Sequence, residues 1–216
     1  MCSIAGASTE QEVERILLVM KHRAPDDMGI VSNEQFSIGM GRLKILDLNS
    51  PNLCPITDGN LVLTFNGEIF NYLELKDELT KLGHEFHTES DSEVLLKAYK
   101  EWGAGCLDKF NGMFAFAIYD GNTVFLARDM AGEKPLYYTK GKFSFASEAK
   151  ALGKCIEFPP AHYGIYNGTN LELHRYWFPP TEERDVDLQS AVSELDVLLQ
   201  SAVSLRTRAH VPYGLY

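Results

Sequence analysis

From Met113 to Phe178 the chain consists of short apolar runs separated by turn pairs, and this rhythm restricts the fold more than any other feature. Met113 to Tyr119 and Thr123 to Arg128 flank Asp120-Gly121-Asn122. Tyr137 to Thr139 and Phe143 to Ala146 flank Lys140-Gly141, and a further hairpin turns at Asn167-Gly168, before a strand from His174 to Phe178. Strands joined by so few residues must pair antiparallel, because a parallel pair needs a crossover of a dozen residues or more.

The first half supplies the helices that cover such sheets. Cys2 to Ala7 is short and apolar and reads as an edge-of-core strand. Thr9 with Glu12 forms a capping box, followed by Val13, Ile16, Leu17 and Met20 at helical spacing. This helix should end near His22, because Pro25 forces the chain out of the helical region. Phe36, Ile38 and Met40 alternate along a strand. Leu61 to Phe65 reads as another strand, closed by Asn66-Gly67, a pair that by itself signals a hairpin turn. Leu75, Leu79 and Leu82 mark a helix that stops at Gly83. Ser90 caps a second helix that carries Val94, Leu95, Ala98, Tyr99 and Trp102 and is followed by Gly103. Strands, two adjacent helices and then many strands is not βα alternation. It predicts an α+β fold of stacked layers, with mostly antiparallel sheets under helices. Residues 1–180 read as one domain. Pro179-Pro180 and the charged run Glu182 to Asp187 read as a linker. Leu188, Val192, Leu195, Leu199 and Val203 then form an amphipathic helix whose apolar stripe has little left to pack on, so the natural protein is expected to continue.

The net charge of -10 argues against a nucleic-acid surface or a patch for anionic membranes. No run approaches the roughly 18 apolar residues of a membrane span. The N-terminus lacks a basic region followed by a long apolar run, so a cytoplasmic location is expected. The four cysteines form no C-x-x-C pair and have no histidine cluster beside them, so neither a zinc site nor a disulfide framework is expected. Cys106 and Cys155 read as small buried side chains. Cys2 is different, because loss of Met1 would leave a thiol and a free α-amine on one residue. That amine has a reference pKa of about 7.7–8.0, so roughly a tenth or more is neutral at pH 7 and can act as the base for the thiol.

Seven segments occur in order: Met1-Cys-Ser-Ile, His22-Arg-Ala-Pro-Asp-Asp27, Arg42-Leu-Lys-Ile-Leu-Asp47, Asn66-Gly-Glu-Ile-Phe-Asn71, Ser90-Asp-Ser-Glu93, Arg128-Asp129 with Lys134-Pro-Leu-Tyr-Tyr138, and Phe145-Ala-Ser-Glu148. Together they resemble the class II glutamine amidotransferase domain of asparagine synthetases, from Met1 to about Trp177. Ala24, Met130, Glu133 and Phe70 depart from that family's usual residues.

The resemblance implies an N-terminal-nucleophile hydrolase sandwich, with two antiparallel sheets between two helical layers. It implies Cys2 as the nucleophile toward L-glutamine. Asn66, through its side-chain amide, and Gly67, through its backbone N–H, would form the oxyanion hole, and Gly67 would also let the backbone approach the substrate. Arg42 would hold the α-carboxylate, Glu68 and Asp91 the α-ammonium, and the main chain of Leu43, Ile45 and Leu46 would line the pocket. No metal or cofactor is implied for this chain. The segment Val211 to Tyr216 resembles the approach to an ATP-binding synthetase domain, so the chain looks cut before it. A full-length parent would use Mg-ATP there to pass ammonia to aspartate. Three alternatives stay open: the same class of domain feeding another acceptor, a non-catalytic module with a decayed site, and a hydrolase of other amides. Self-association is left open as well.

Overall fold

The computed structural model describes residues 1–51 and 53–214. The two final residues of the segment Val211 to Tyr216 therefore lie outside the described residues. Twelve strands and five α-helices are formed among them. In chain order they are β1 (Ser3–Ala7), α1 (Glu10–Val19), β2 (Asp27–Ser32), β3 (Ser37–Arg42), β4 (Ile56–Asp58), β5 (Leu61–Ile69), α2 (Tyr72–Lys81), α3 (Asp91–Trp102), β6 (Gly112–Tyr119), β7 (Val124–Arg128), β8 (Tyr137–Tyr138), β9 (Phe145–Ala146), α4 (Ala149–Leu152), β10 (Ile156–Glu157), β11 (His162–Tyr166), β12 (Leu171–Arg175) and α5 (Leu188–Arg206).

The strands make two six-stranded sheets, ordered β10-β8-β9-β1-β3-β2 and β12-β11-β7-β6-β5-β4, with antiparallel neighbours throughout. The alternation along β6 shows how they stack. Ala115, Ala117 and Tyr119 face the first sheet, packing with Ile4, Ile38 and Phe145. Phe114, Phe116 and Ile118 face the other way, into Leu75, Leu79, Val94 and Leu95 of α2 and α3. On the far side of the first sheet, Val13, Ile16 and Leu17 of α1 and Ala151 of α4 cover Ala5, Ala7 and Ala146. The result is the expected four-layer αββα sandwich. Small residues let the layers close: a Cβ on Gly39 would lie 2.5 Å from Val13 Cγ1 and 2.8 Å from Leu17 Cδ1, so α1 rests directly on the backbone of β3.

The helix signals hold locally. Thr9 Oγ1 accepts from the Glu12 N–H, Ser90 Oγ accepts from the Ser92 N–H, and Gly83 and Gly103 follow α2 and α3 with positive φ. Other expectations need correction. β1 is not an edge strand but lies between β9 and β3, buried on both faces. The final strand spans Leu171–Arg175 rather than His174 to Phe178, because its register is set by pairing with β11. Cys155 is half-buried, whereas Cys106 is buried as expected, and all four cysteines are free. Asn66-Gly67 does not close a strand: β5 runs through it to Ile69, with Asn66 opposite Ala115 and Gly67 opposite Phe114. Pairing with a long neighbouring strand overrides the local turn preference. α5 buries none of its residues in the described structure, and no described helix is long and apolar enough to cross a membrane.

Candidate active site

One cavity of about 130 Å³ opens at one end of the sandwich. Cys2, Arg42, Leu43, Ile45, Leu46, Asn66, Gly67, Glu68 and Asp91 all line it, so the nine residues singled out in the sequence converge. Each arrives by a different element. β1 and β3 pair antiparallel with Ser3 opposite Gly41, which sets Cys2 at the start of one beside Arg42 at the end of the other. The second sheet contributes Asn66 to Glu68 of β5, and α3 contributes Asp91 from its first turn.

The register of β5 explains what its backbone offers. Phe114 on β6 gives its N–H to Asp129 Oδ2 (3.1 Å) and its carbonyl to the Asp129 N–H (2.9 Å), so its backbone groups point away from β5. Gly67, opposite Phe114, therefore sits at a non-hydrogen-bonded position, and its own N–H and C=O also point outward. Two residues on, the Ile69 N–H points the same way and donates to Asp91 Oδ2 at 3.0 Å. On that outer side β4 pairs with β5 only from Leu61 to Leu63. The Gly67 N–H thus faces an unpaired edge that opens on the cavity. Its lack of a Cβ also serves the packing of the sheet. A Cβ there would lie 2.2 Å from the Met113 carbonyl oxygen and 2.7 Å from Phe114 Cα, so β6 by itself already requires glycine at this position.

Thr64 Oγ1 donates to the Gly39 carbonyl across the sandwich at 2.8 Å, and Asn66, two residues later, shares that inward face. Asn66 is 1% exposed, and its Nδ2 is the one buried side-chain N or O atom without a hydrogen-bond partner among the described residues. Leaving a buried donor unmade costs about 1–3 kcal/mol. A side chain kept at that cost, in the wall of a cavity, is suited to an acceptor supplied by a ligand.

The Cys2 Sγ contacts both backbone groups of Leu43, accepting from its N–H (3.5 Å) and facing its carbonyl (3.8 Å). Burial pushes the thiol above its ordinary pKa, against the Leu43 hydrogen bond and the nearby positive charges, so at neutral pH it is protonated and needs a base. No histidine lines the cavity among the described residues. With Met1 in place the Cys2 nitrogen is an amide, and the terminal amine belongs to Met1, which stands one residue out at the cavity mouth. Burial lowers the pKa of that amine, and the charges of Arg23 and Lys134 add to the effect.

Arg42, 6% exposed, donates through Nη2 to the carbonyls of Leu46 (2.8 Å) and Asp47 (2.7 Å), curling the 43–47 loop around its guanidinium. Asp47 takes a positive φ of 50° there, and its carboxylate accepts from the N–H groups of Ser50 and Glu89. Asp91 is buried and its pKa is pushed up to about 7, first by desolvation and further by the Glu68 charge, against the Ile69 hydrogen bond. Burial also raises Glu68. A deep carboxyl beside a second one, facing a cavity, suits a cationic ligand group.

Several wall residues had no assigned role in the sequence reading: Met40, Phe65, Ser90, Ser92, Met113 and Lys134. Lys134 belongs to a quoted segment, and its position has a clear cause. Asp129 Oδ2 accepts its N–H (3.0 Å) and Arg128 Nε donates to its carbonyl (2.8 Å), so the Arg128-Asp129 pair fixes its backbone. Arg23 is a second omission. Its Nε donates to the Cys2 carbonyl (3.0 Å) and its Nη1 to Glu148 (2.9 Å), which ties the quoted segments around His22 and Glu148 to the first residues of β1. Burial alone would raise Glu148, but hydrogen bonds from Lys150, Arg23 and His22 hold it at about 2.

Comparison with known proteins bears on the family and the fold. A family model described as a glutamine amidotransferase domain matches residues 1–162. The chain is 30% identical to asparagine synthetase [glutamine-hydrolyzing] 3 of Bacillus subtilis, over 98% of this chain and 42% of that protein. It is 37% identical to a probable asparagine synthetase [glutamine-hydrolyzing] of Schizosaccharomyces pombe, over 91% of this chain and 37% of that protein. The chain thus spans less than half the length of these relatives. Among solved structures, it resembles glutamine phosphoribosylpyrophosphate amidotransferase from Bacillus subtilis, with a TM-score of 0.68 and 22% identity over 82% of this chain and 49% of that one, a likeness that concerns the fold.

Proposed function

This chain belongs to the glutamine amidotransferase domain family, and on that premise we propose that it hydrolyses L-glutamine to L-glutamate and ammonia, with Cys2 as nucleophile after removal of Met1. The observation that carries the proposal is the unpartnered Asn66 Nδ2 in the same cavity as Cys2. A decayed, non-catalytic site would have no reason to keep a buried donor unpaired.

The proposed steps give each cavity residue the role that the family resemblance implies for it. Arg42 binds the α-carboxylate and Asp91 with Glu68 the α-ammonium, which leaves the side-chain amide directed at Cys2. The free α-amine of Cys2 takes the thiol proton as Sγ attacks the amide carbon, an arrangement that suits a cavity without histidine. Negative charge gathers on the amide oxygen, where Asn66 Nδ2 and the Gly67 N–H donate to it. Collapse breaks the C–N bond, the α-ammonium of Cys2 returns its proton to the leaving nitrogen, and ammonia departs from a γ-glutamyl thioester. Water attacks the thioester carbon with the amine again as base; the C–S bond then breaks, the α-ammonium returns its proton to the Cys2 sulfur, and glutamate leaves with thiol and amine restored. No metal or cofactor takes part in this sequence. The relatives are named glutamine-hydrolysing asparagine synthetases, which supports asparagine synthesis as the use of the ammonia in a longer parent; the Mg-ATP-dependent transfer to aspartate is part of the same proposal.

The test is mass spectrometry of the N-terminus combined with a glutaminase assay. Protein that begins at Cys2 should release glutamate and ammonia, and Cys2→Ala should lose turnover while still binding glutamine. More than a few per cent of turnover in Cys2→Ala, or full activity in homogeneous Met1-retaining protein, would refute the mechanism.

A further inference from the structure

The stretch at the end of α5 lies against the outer wall of the cavity. His210 donates its N–H to the Ile45 carbonyl (3.0 Å), and its Nδ1 accepts from the Asp47 N–H (3.2 Å). Arg208 forks onto Glu74 at 2.7 Å and 2.6 Å and also donates to the Phe70 carbonyl at 2.8 Å. The Arg206 guanidinium stands 4.5 Å from the Phe70 ring centre. Phe70 and Glu74 form the corner where β5 passes into α2, directly after Asn66 to Glu68. One short segment therefore grips both the 43–47 loop and the exit of β5.

The 43–47 loop has no regular structure of its own. From inside it is held by Arg42, through the carbonyls of Leu46 and Asp47. From outside it is held by His210, through the carbonyl of Ile45 and the N–H of Asp47. The inner anchor is a group that a ligand carboxylate would also recruit, whereas His210 does not itself line the cavity and acts on it only through the loop it holds. We propose that Arg206 to His210 is a clasp on the glutamine pocket, and that His210 is a positioning residue which holds the 43–47 loop in its binding shape. The proposal rests on the glutaminase reading above. By linkage, whatever the clasp adds to glutamine affinity, bound glutamine adds to closure of the clasp. A partner that draws this segment away would thereby loosen glutamine without entering the cavity.

The test uses the full chain, with Met1 removed. His210→Ala deletes the Nδ1 acceptor and should raise KM for L-glutamine about fivefold, the worth of one hydrogen bond, with kcat within about twofold. His210→Asn, whose side-chain oxygen can accept in place of Nδ1, should restore most of the affinity, and Arg208→Met should act in the same direction as His210→Ala. A readout independent of turnover comes from Cys2→Ala protein, where saturating L-glutamine should slow trypsin cleavage after Arg206 and Arg208. The clasp is overturned if wild-type turnover is intact but His210→Ala keeps its KM, or loses only kcat, or if glutamine binds Cys2→Ala without altering that cleavage. Absence of both wild-type turnover and glutamine binding would instead remove the glutaminase reading, and the clasp with it.

Discussion

Replacing Asp91 by Asn should stabilise the protein, and the size and pH dependence of the gain follow from the site. The carboxyl has an ordinary pKa of about 4 in an unfolded chain, but burial and Glu68 push it up to about 7 in the fold. Because the folded state holds this proton more tightly, stability from this group is fully present below about pH 4 and is lost as pH rises through about 7. At about 1.36 kcal/mol per pH unit the loss at pH 8 is on the order of 4 kcal/mol. An Asn side chain carries no charge and still offers an oxygen to the Ile69 N–H, which now donates to Oδ2 at 3.0 Å. Allowing for the weaker bond of a neutral acceptor, Asp91→Asn should gain about 2–4 kcal/mol at pH 8, or roughly 5–15 °C in Tm for a chain of this size. At pH 5 the folded carboxyl is protonated while the unfolded one is largely ionised, so about 1.5 kcal/mol is already lost and the gain from Asn should shrink to about 1.5 kcal/mol or less. Urea melts at both pH values supply the numbers, with glutamine binding measured alongside, since the variant loses the proposed partner of the α-ammonium. No gain at pH 8, or an equal gain at pH 5, would show that Asp91 is not a strained buried acid.

Asn66→Ala should lower kcat about 10²–10³-fold with little change in glutamine affinity, because the donor acts on charge that develops in the transition state. Arg42→Ala should divide the other way, raising KM far more than it lowers kcat; steady-state kinetics on the pair checks both. Gly67→Ala should destabilise by about 2 kcal/mol or more, from overpacking against the β6 backbone, and the midpoint of a denaturant melt reads this directly.

The sequence carried the layers well, because hairpins and capped helices are local. It failed where long-range pairing decides. Asp27–Ser32 is an exposed to half-buried strand without an apolar alternation, and β10 is two residues long, so neither carries a pattern to read. Ser3–Ala7 looked peripheral because its side chains are small, yet small side chains are what a central strand needs when α1 covers one face and the second sheet the other. The cavity residues were legible only as an ordered set of segments. Ser90 and Ser92 could have been found as neighbours of Asp91, and Lys134 and Arg23 as members of quoted segments. What neither spacing nor composition reveals is the hydrogen-bonding side of a strand position. That the Gly67 N–H points to an open edge depends on Phe114 being engaged by Asp129, some 60 residues away in the chain.

That dependence explains why the site lies where it does. β5 has nine residues but β4 only three, so the outer edge of β5 is unpaired beyond Leu63. An open edge is ordinarily a hazard, since its free N–H and C=O groups invite another strand. Here the 43–47 loop and the start of α3 wall it in, and Asp91 consumes the Ile69 N–H. On this edge the Gly67 N–H faces the cavity, next to the unpaired amide of Asn66. Extending β4 by four residues would satisfy the Gly67 N–H in the sheet and complete the fold more fully, and it would also remove half of the proposed oxyanion hole. The short strand, the unpaired amide and the buried acid are thus three departures from good folding practice within one cavity. A chain selected for stability alone would scatter such departures or eliminate them, so their concentration beside Cys2 is the physical argument for catalysis there.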